Sequence, residues 1–172
     1  MRLRAAGVLL LAMAAVGTAC TAEEEPAPAP EEPPDTPSPE EAAEASALEA
    51  YEGMWNVVVE ASHEGERDPN ELGNYASGDA LALMRQTLET AADEPDGFQG
   101  EPVLNPEVVE LDPAEEPETA ELLDCVEGDE WTGIDASPES ADPGTRQVDA
   151  TVEDDGLAWR VSELRIWEPG SC

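Results

Sequence analysis

The residues best suited to chemistry in this 172-residue chain are one histidine, three cysteines, a few aromatic rings and one strand-borne acid. His63 is the only histidine. It falls at the expected end of a helix, beside Glu64 and Glu66, where a cation-capable ring complements the negative end of the helix dipole. That position reads as an exposed helix-end residue rather than a general base. Asp124 lies next to Cys125 in a segment of strand character. Facing outward it is an ordinary surface acid; facing inward it is a buried carboxylate that requires a partner or a function. Tyr51, Trp55, Tyr75 and Trp159 have the sizes and spacings of core residues or of residues lining a pocket. No grouping of these residues names a catalytic set, and none is assigned.

Metal chemistry finds no support. The chain has no CxxC pair, and a single histidine cannot complete a zinc site. The acidic run from Asp149 to Gly156 does not match the calcium loop pattern, with its central glycine and later bidentate Glu. Such acid runs read as a solvated face. No cofactor is expected. Lys plus Arg totals 7, all arginine, against 42 Asp plus Glu, a net charge of −35. That balance excludes nucleic acid as a partner, because phosphates need cations to neutralise them.

The N-terminus carries an address. Arg2 and Arg4 form a positive start, Ala5 to Val16 is an apolar stretch, and Gly17-Thr18-Ala19 supplies small residues before Cys20. This is the layout of an export signal, too short for a membrane-spanning helix. Gly17-Thr18-Ala19-Cys20 resembles the lipobox of bacterial lipoproteins, although Gly17 stands where leucine is common. The resemblance implies a lipid on the Cys20 sulfur and cleavage before it. Residues 1–19 then form the signal peptide, and the mature chain is anchored on the outer face of the cell membrane through Cys20. Without Arg2 and Arg4, five arginines stand against 42 acids, a net charge of −37. A surface so acidic is repelled by anionic headgroups, so the lipid alone must hold the protein there.

With Cys20 lipidated, Cys125 and Cys172 remain. An even remainder in an exported chain reads as one disulfide.

Residues 20–37 read as the lipid-bearing cysteine and an acidic, proline-rich, disordered linker. Seven of the nineteen positions from Thr21 to Pro39 are proline. No large apolar residue appears there to offset the entropy of ordering. As extended chain it reaches about 50 Å.

Residues 38–172 read as a single domain. Ser38-Pro39-Glu40-Glu41 is a capping-box start with proline at the first helical position. Leu48, Tyr51, Trp55, Val58 and Val59 follow at helical spacing, with Met54 widening the stripe, to about Ser62. A loop at Asp68-Pro69-Asn70 precedes a second helix capped by Ser77, with Ala80, Leu81, Met84, Leu88 and Ala91 as its apolar stripe. Glu94-Pro95-Asp96-Gly97 ends it. The period then becomes strand-like. Short strands are expected at Gln99–Leu104, Glu107–Leu111 and Thr119–Val126, then at Arg146–Val152 and Ala158–Trp167. A loop from Glu127 to Thr145 separates the third from the fourth, and Glu153-Asp154-Asp155-Gly156 turns the final hairpin. In the last strand, Trp159, Val161 and Trp167 fall on one face by alternation, and Leu164 and Ile166 on the other. Apolar residues on both faces suit a central strand, or an edge covered by a loop.

Two N-terminal helices packed on a curved antiparallel sheet of four to five strands make an α+β fold. The ordered motifs carry a family likeness: Tyr51-Glu52-Gly53-Met54-Trp55, Tyr75-Ala76-Ser77-Gly78-Asp79-Ala80-Leu81, Leu123-Asp124-Cys125-Val126 and Trp159-Arg160-Val161. Together with the lipobox and linker, they resemble the small exported lipoproteins of actinobacteria with a nuclear-transport-factor-2-like, or SnoaL-like, domain. The resemblance implies a cone-shaped domain of cystatin-like topology with an apolar cavity, and it names no activity. The expected role is a non-catalytic domain that binds a small molecule or a protein at the cell surface. The alternatives are an isomerase- or cyclase-type enzyme using an apolar pocket, and a structural subunit of a membrane complex.

Overall fold

A computed structural model describes residues 36–93, 98–113, 116–128, 130–133 and 145–172. The expected signal segment, Cys20 and the expected linker up to residue 35 lie outside the described residues. So do the expected helix stop at 94–97 and most of the loop between 127 and 145.

Helix α1 spans Pro39–Glu64, two residues past its expected end. Its start is the anticipated capping box. Glu41 N donates to Ser38 Oγ at 3.2 Å, and Ser38 N donates to Glu41 Oε2 at 2.8 Å. Two otherwise orphaned N–H groups are thereby satisfied. The stop is Gly65 at φ +70°, the left-handed conformation that glycine adopts without strain. Replacing Ser38 by alanine is expected to lower stability by about 1 kcal/mol, measured by urea denaturation. The Ser38 N–H also holds the Glu41 carboxyl below its ordinary value of 4.5. A lowered folded value means that the cap contributes above the ordinary value and is lost as pH falls through the folded one.

A four-residue helix, α2 at Leu72–Tyr75, follows the Asp68-Pro69-Asn70 loop. It is too short to show a period in sequence, and burial of Leu72 holds it. Helix α3 covers Gly78–Asp93 and buries Ala80, Met84, Leu88 and Ala91, the expected stripe. Ser77 directly precedes it, its backbone N–H donating to Val161 O at 2.8 Å and its carbonyl accepting from Leu81 N at 3.0 Å.

Strands β2 (Glu107–Asp112), β3 (Thr119–Glu127), β5 (Thr145–Asp154) and β6 (Trp159–Ile166) form one antiparallel sheet in the order β2-β3-β5-β6. The fold is α+β, with helices packed against a four-stranded antiparallel sheet. The expected strand at Gln99–Leu104 does not join this sheet. Only Phe98–Gln99 (β1) is extended, pairing with Thr132–Gly133 (β4), and Val103 makes an isolated bridge to Glu127. Pro102 has no N–H to donate, and Gly100 sits at φ +73°, so a continuous ladder is interrupted twice.

The last strand also departs from simple alternation. Val152 pairs with Val161 while Thr151 pairs with Glu163, so a bulge leaves Ser162 unpaired. Val161 and Leu164 therefore face the helices together, and Glu163 and Arg165 face outward. β6 is an edge strand, and Ala76 covers part of its free side through a parallel bridge to Val161. The turn before it matches expectation: Asp155 Oδ1 accepts from Leu157 N at 2.9 Å and Ala158 N at 3.1 Å. Those N–H groups, with Arg160 adding a smaller part, hold the Asp155 carboxyl below its ordinary value.

The core lies between α1, α3 and the inner face of the sheet. Tyr51, Met54, Val58, Met84, Leu88, Val152 and Val161 are fully buried there. Each such aliphatic side chain contributes about 1.5–3 kcal/mol relative to exposure.

Candidate functional site

Asp124 faces inward. Alternation along β3 places Leu122, Asp124 and Val126 on the helix side, and Leu123 and Cys125 on the other. Asp124 is 3% exposed, the only buried carboxylate among the described residues. Its Oδ2 accepts from Tyr51 Oη at 2.9 Å, and its Oδ1 accepts from Asn105 N at 2.8 Å. A buried carboxylate is tolerated only when its oxygens find donors, and both do. The pair joins α1 to β3 and fastens the chain that enters β2.

Burial, followed by the neighbouring Asp124 charge, pushes the Tyr51 phenol well above its ordinary value. Because the folded value is raised, the stabilising effect is complete below about pH 10 and fades as pH rises beyond the unfolded value. The chain has two tyrosines. In an alkaline titration followed at 295 nm, the Tyr51 half of the phenolate signal is expected to appear only with unfolding. Tyr51→Phe should abolish that delayed step.

A column of rings runs outward from this pair. Trp55 meets Tyr51 edge-on at 6.4 Å between centroids, Trp131 meets Trp55 edge-on at 6.0 Å, and Phe98 lies 5.3 Å from Trp131. Trp131 Nε1 donates to Ser62 Oγ at 3.1 Å, which in turn donates to Val59 O at 2.7 Å. Trp55 Nε1 is buried beside Tyr51 and has no well-formed hydrogen bond among the described residues. His63 is exposed, as expected at a helix end, and its Nε2 donates to Gly100 O at 2.7 Å. These contacts clamp the β1–β4 ladder onto the end of α1.

The four aromatic residues singled out from sequence thus separate. Tyr51 and Trp55 are core. Trp159 is half-buried and packs against the core from the start of β6. Tyr75 alone faces a concavity. Trp131 and Phe98 are not among the sequence candidates. Trp131 sits in a glycine- and acid-rich loop, where a large ring among polar neighbours is the one available signal.

The concavity lies on the solvent side of α1. A groove of about 390 Å³ runs between α1, the Glu66–Pro69 loop and α2, lined by Asn56, Glu60, Glu64, Glu71, Asn74 and Tyr75 among others. A second hollow of about 360 Å³ continues toward Leu48, Glu49 and Glu52. The two share Gly53, Asn56 and Tyr75. Tyr75 lies so close over Gly53 that any Cβ there would overlap its ring. The glycine therefore seats the tyrosine against the backbone of α1.

Cys125 and Cys172 form a disulfide, with Cα atoms 6.1 Å apart. No group of three or more His, Cys, Asp or Glu side chains converges on a metal position among the described residues.

No family model and no curated protein matches the chain. Among solved structures, it is similar to the intermembrane space region of the chloroplast protein ARC6. The identity is 14%, over 73% of this chain and 96% of that one, with a TM-score of 0.48.

Proposed function

We propose that this chain is a lipoprotein, anchored by Cys20 to the outer face of the cell membrane, whose domain binds a small molecule or a protein without catalysing a reaction. The observation that carries the non-catalytic part is the closed state of Asp124. Both of its oxygens accept hydrogen bonds from the protein itself, within a core that leaves it 3% exposed. A general base has to come within about 2.6–3.2 Å of a substrate proton, directly or through one water. Solvent-facing polar side chains, Asn56, Glu60, Glu64, Glu71 and Asn74 among them, line the α1 groove instead. The anchor rests on Arg2, Arg4, the apolar stretch and Gly17-Thr18-Ala19-Cys20, and the acidic linker supports a domain held off the membrane. Helices packed on an antiparallel sheet are consistent with a nuclear-transport-factor-2-like lipoprotein.

A second reading, an isomerase-type enzyme, is favoured by the Tyr51–Asp124 pair itself, a phenol hydrogen-bonded to a buried carboxylate beside the Trp55 ring. It requires a substrate to displace Tyr51 or Asn105 from the carboxylate.

Two measurements test the proposal in cells that process lipoproteins. Cys20→Ser should abolish palmitate labelling and move the protein from the membrane fraction to the medium. Retention on the membrane would refute the anchor. Crosslinked and immunopurified wild-type protein should carry a stoichiometric protein or small molecule, identified by mass spectrometry. Recovery of empty protein would count against the binding role.

A further inference from the structure

We propose that the groove along the solvent side of α1 docks an extended cationic segment of a protein partner, with Tyr75 as its aromatic platform and Glu60, Glu64 and Glu71 as its charge partners. This rests on reading the domain as a binding module.

The first argument is shape. The two hollows meet at Gly53, Asn56 and Tyr75 and follow α1 from Ala45 to Glu64. Helical rise makes that length about 28 Å. Extended chain at about 3.3 Å per residue fills it with roughly eight residues.

The second is charge. The lining residues include Glu49, Glu52, Glu60, Glu64, Glu66 and Glu71, and no arginine. The domain's own cations are spent elsewhere. Arg67 pairs with Asp93, Arg85 with Asp68 and Arg160 with Asp155, and Arg165 lies over Trp167. Arg146 is engaged on the sheet, where it donates to Trp167 O. The negative potential of the groove is thus left for an outside partner to neutralise.

The third is the state of the lining groups. Tyr75 is half-buried, its ring fixed over Gly53, and its hydroxyl makes no hydrogen bond to another described residue. A guanidinium or ammonium over that ring gains a cation–π contact, and the carboxylates on either side supply charge-assisted hydrogen bonds. Leu48 and Val57, both half-buried, offer apolar wall to the methylene stems.

Other occupants fit less well. No metal-type convergence of side chains is present among the described residues. A second copy of the chain would bring like charge to like, since the mature sequence carries −37, five arginines against 42 acids.

The test uses the full-length protein in detergent micelles and a fluorescein-labelled (Arg-Ala)4 peptide, read by anisotropy at about 0.15 M salt, where diffuse attraction is screened. Glu60→Gln/Glu64→Gln removes two groove charges. Glu110→Gln/Glu121→Gln removes two from the outer face of the sheet, where these residues pair across strands. The groove pair should weaken binding by about tenfold or more, and the sheet pair by less than about twofold. Equal weakening by both pairs, or no saturable binding to wild type, overturns the groove. If the peptide result is negative while a crosslinked partner is still recovered from membranes, the groove falls and the binding role stands. If neither appears, both fall.

Discussion

Cys125→Ala/Cys172→Ala is expected to lower the unfolding free energy by about 4 kcal/mol, the upper end of the chain-entropy range for this loop. The two cysteines are 47 residues apart in sequence. The bridge therefore constrains β5, β6 and the loop before them in the unfolded chain. It joins the outer face of β3, where Cys125 is half-buried, to the exposed C-terminal residue. Three hydrogen bonds already lay the tail along β5. Trp167 N donates to Gln147 O at 2.9 Å, Gly170 N to Thr145 O at 2.8 Å, and Gln147 N to Ser171 Oγ at 2.8 Å. The tail is thus seated in the fold, and the covalent link acts chiefly by restricting the unfolded ensemble. Urea denaturation of the double variant and of reduced wild type should give the same lowered midpoint. A midpoint unchanged from oxidised wild type would contradict the assignment.

The second large effect is expected at Asp124. Asp124→Ala leaves the buried Tyr51 hydroxyl without its acceptor and takes the acceptor from the part-buried Asn105 N–H as well. Each orphaned group costs about 1–3 kcal/mol, so a loss of about 3 kcal/mol and a fall in Tm of roughly 10 °C are expected. Tyr51→Phe alone should also be costly, because it strips one hydrogen bond from a buried charge. The double variant Tyr51→Phe/Asp124→Ala should cost less than the sum of the two singles, since the hydroxyl and the carboxylate each lose their only reason to be compensated. Additive losses in that cycle would show that the two residues act independently. The cycle also bears on the enzyme reading. A pair retained for stability gives a large coupling energy and no ligand-dependent change, whereas a pair that opens to substrate would show its coupling reduced by ligand.

Much of the chain's local architecture was legible before the structure. The capping box at Ser38 and Glu41, the stripe of α3 and the Asp155–Gly156 turn depend on groups a few residues apart, and their chemistry is written locally. The Cys125–Cys172 pairing followed from parity. Composition alone set the charge balance, 42 acids against seven arginines, whatever the fold.

Tertiary structure decided the rest, wherever the outcome depended on distant neighbours. Whether Asp124 is a surface acid or a buried carboxylate turned on strand register. Its partner Tyr51 lies 73 residues away, at a separation no local pattern encodes. The bulge at Ser162 moved Leu164 to the face of Val161, because pairing with β5, rather than strict alternation, set the side-chain direction. Pro102 and Gly100 removed the expected first strand from the main sheet. The α1 groove depends on α2, four residues without a detectable period, and on Gly53 receiving the ring of Tyr75 across 22 residues of sequence. Sequence thus determined the charge, the caps and the apolar stripes, which act over a single helical turn or strand pair. Only the packed fold determined which polar groups are spent in the core and which stay at the surface, because hydrogen bonding and burial belong to pairs of distant residues.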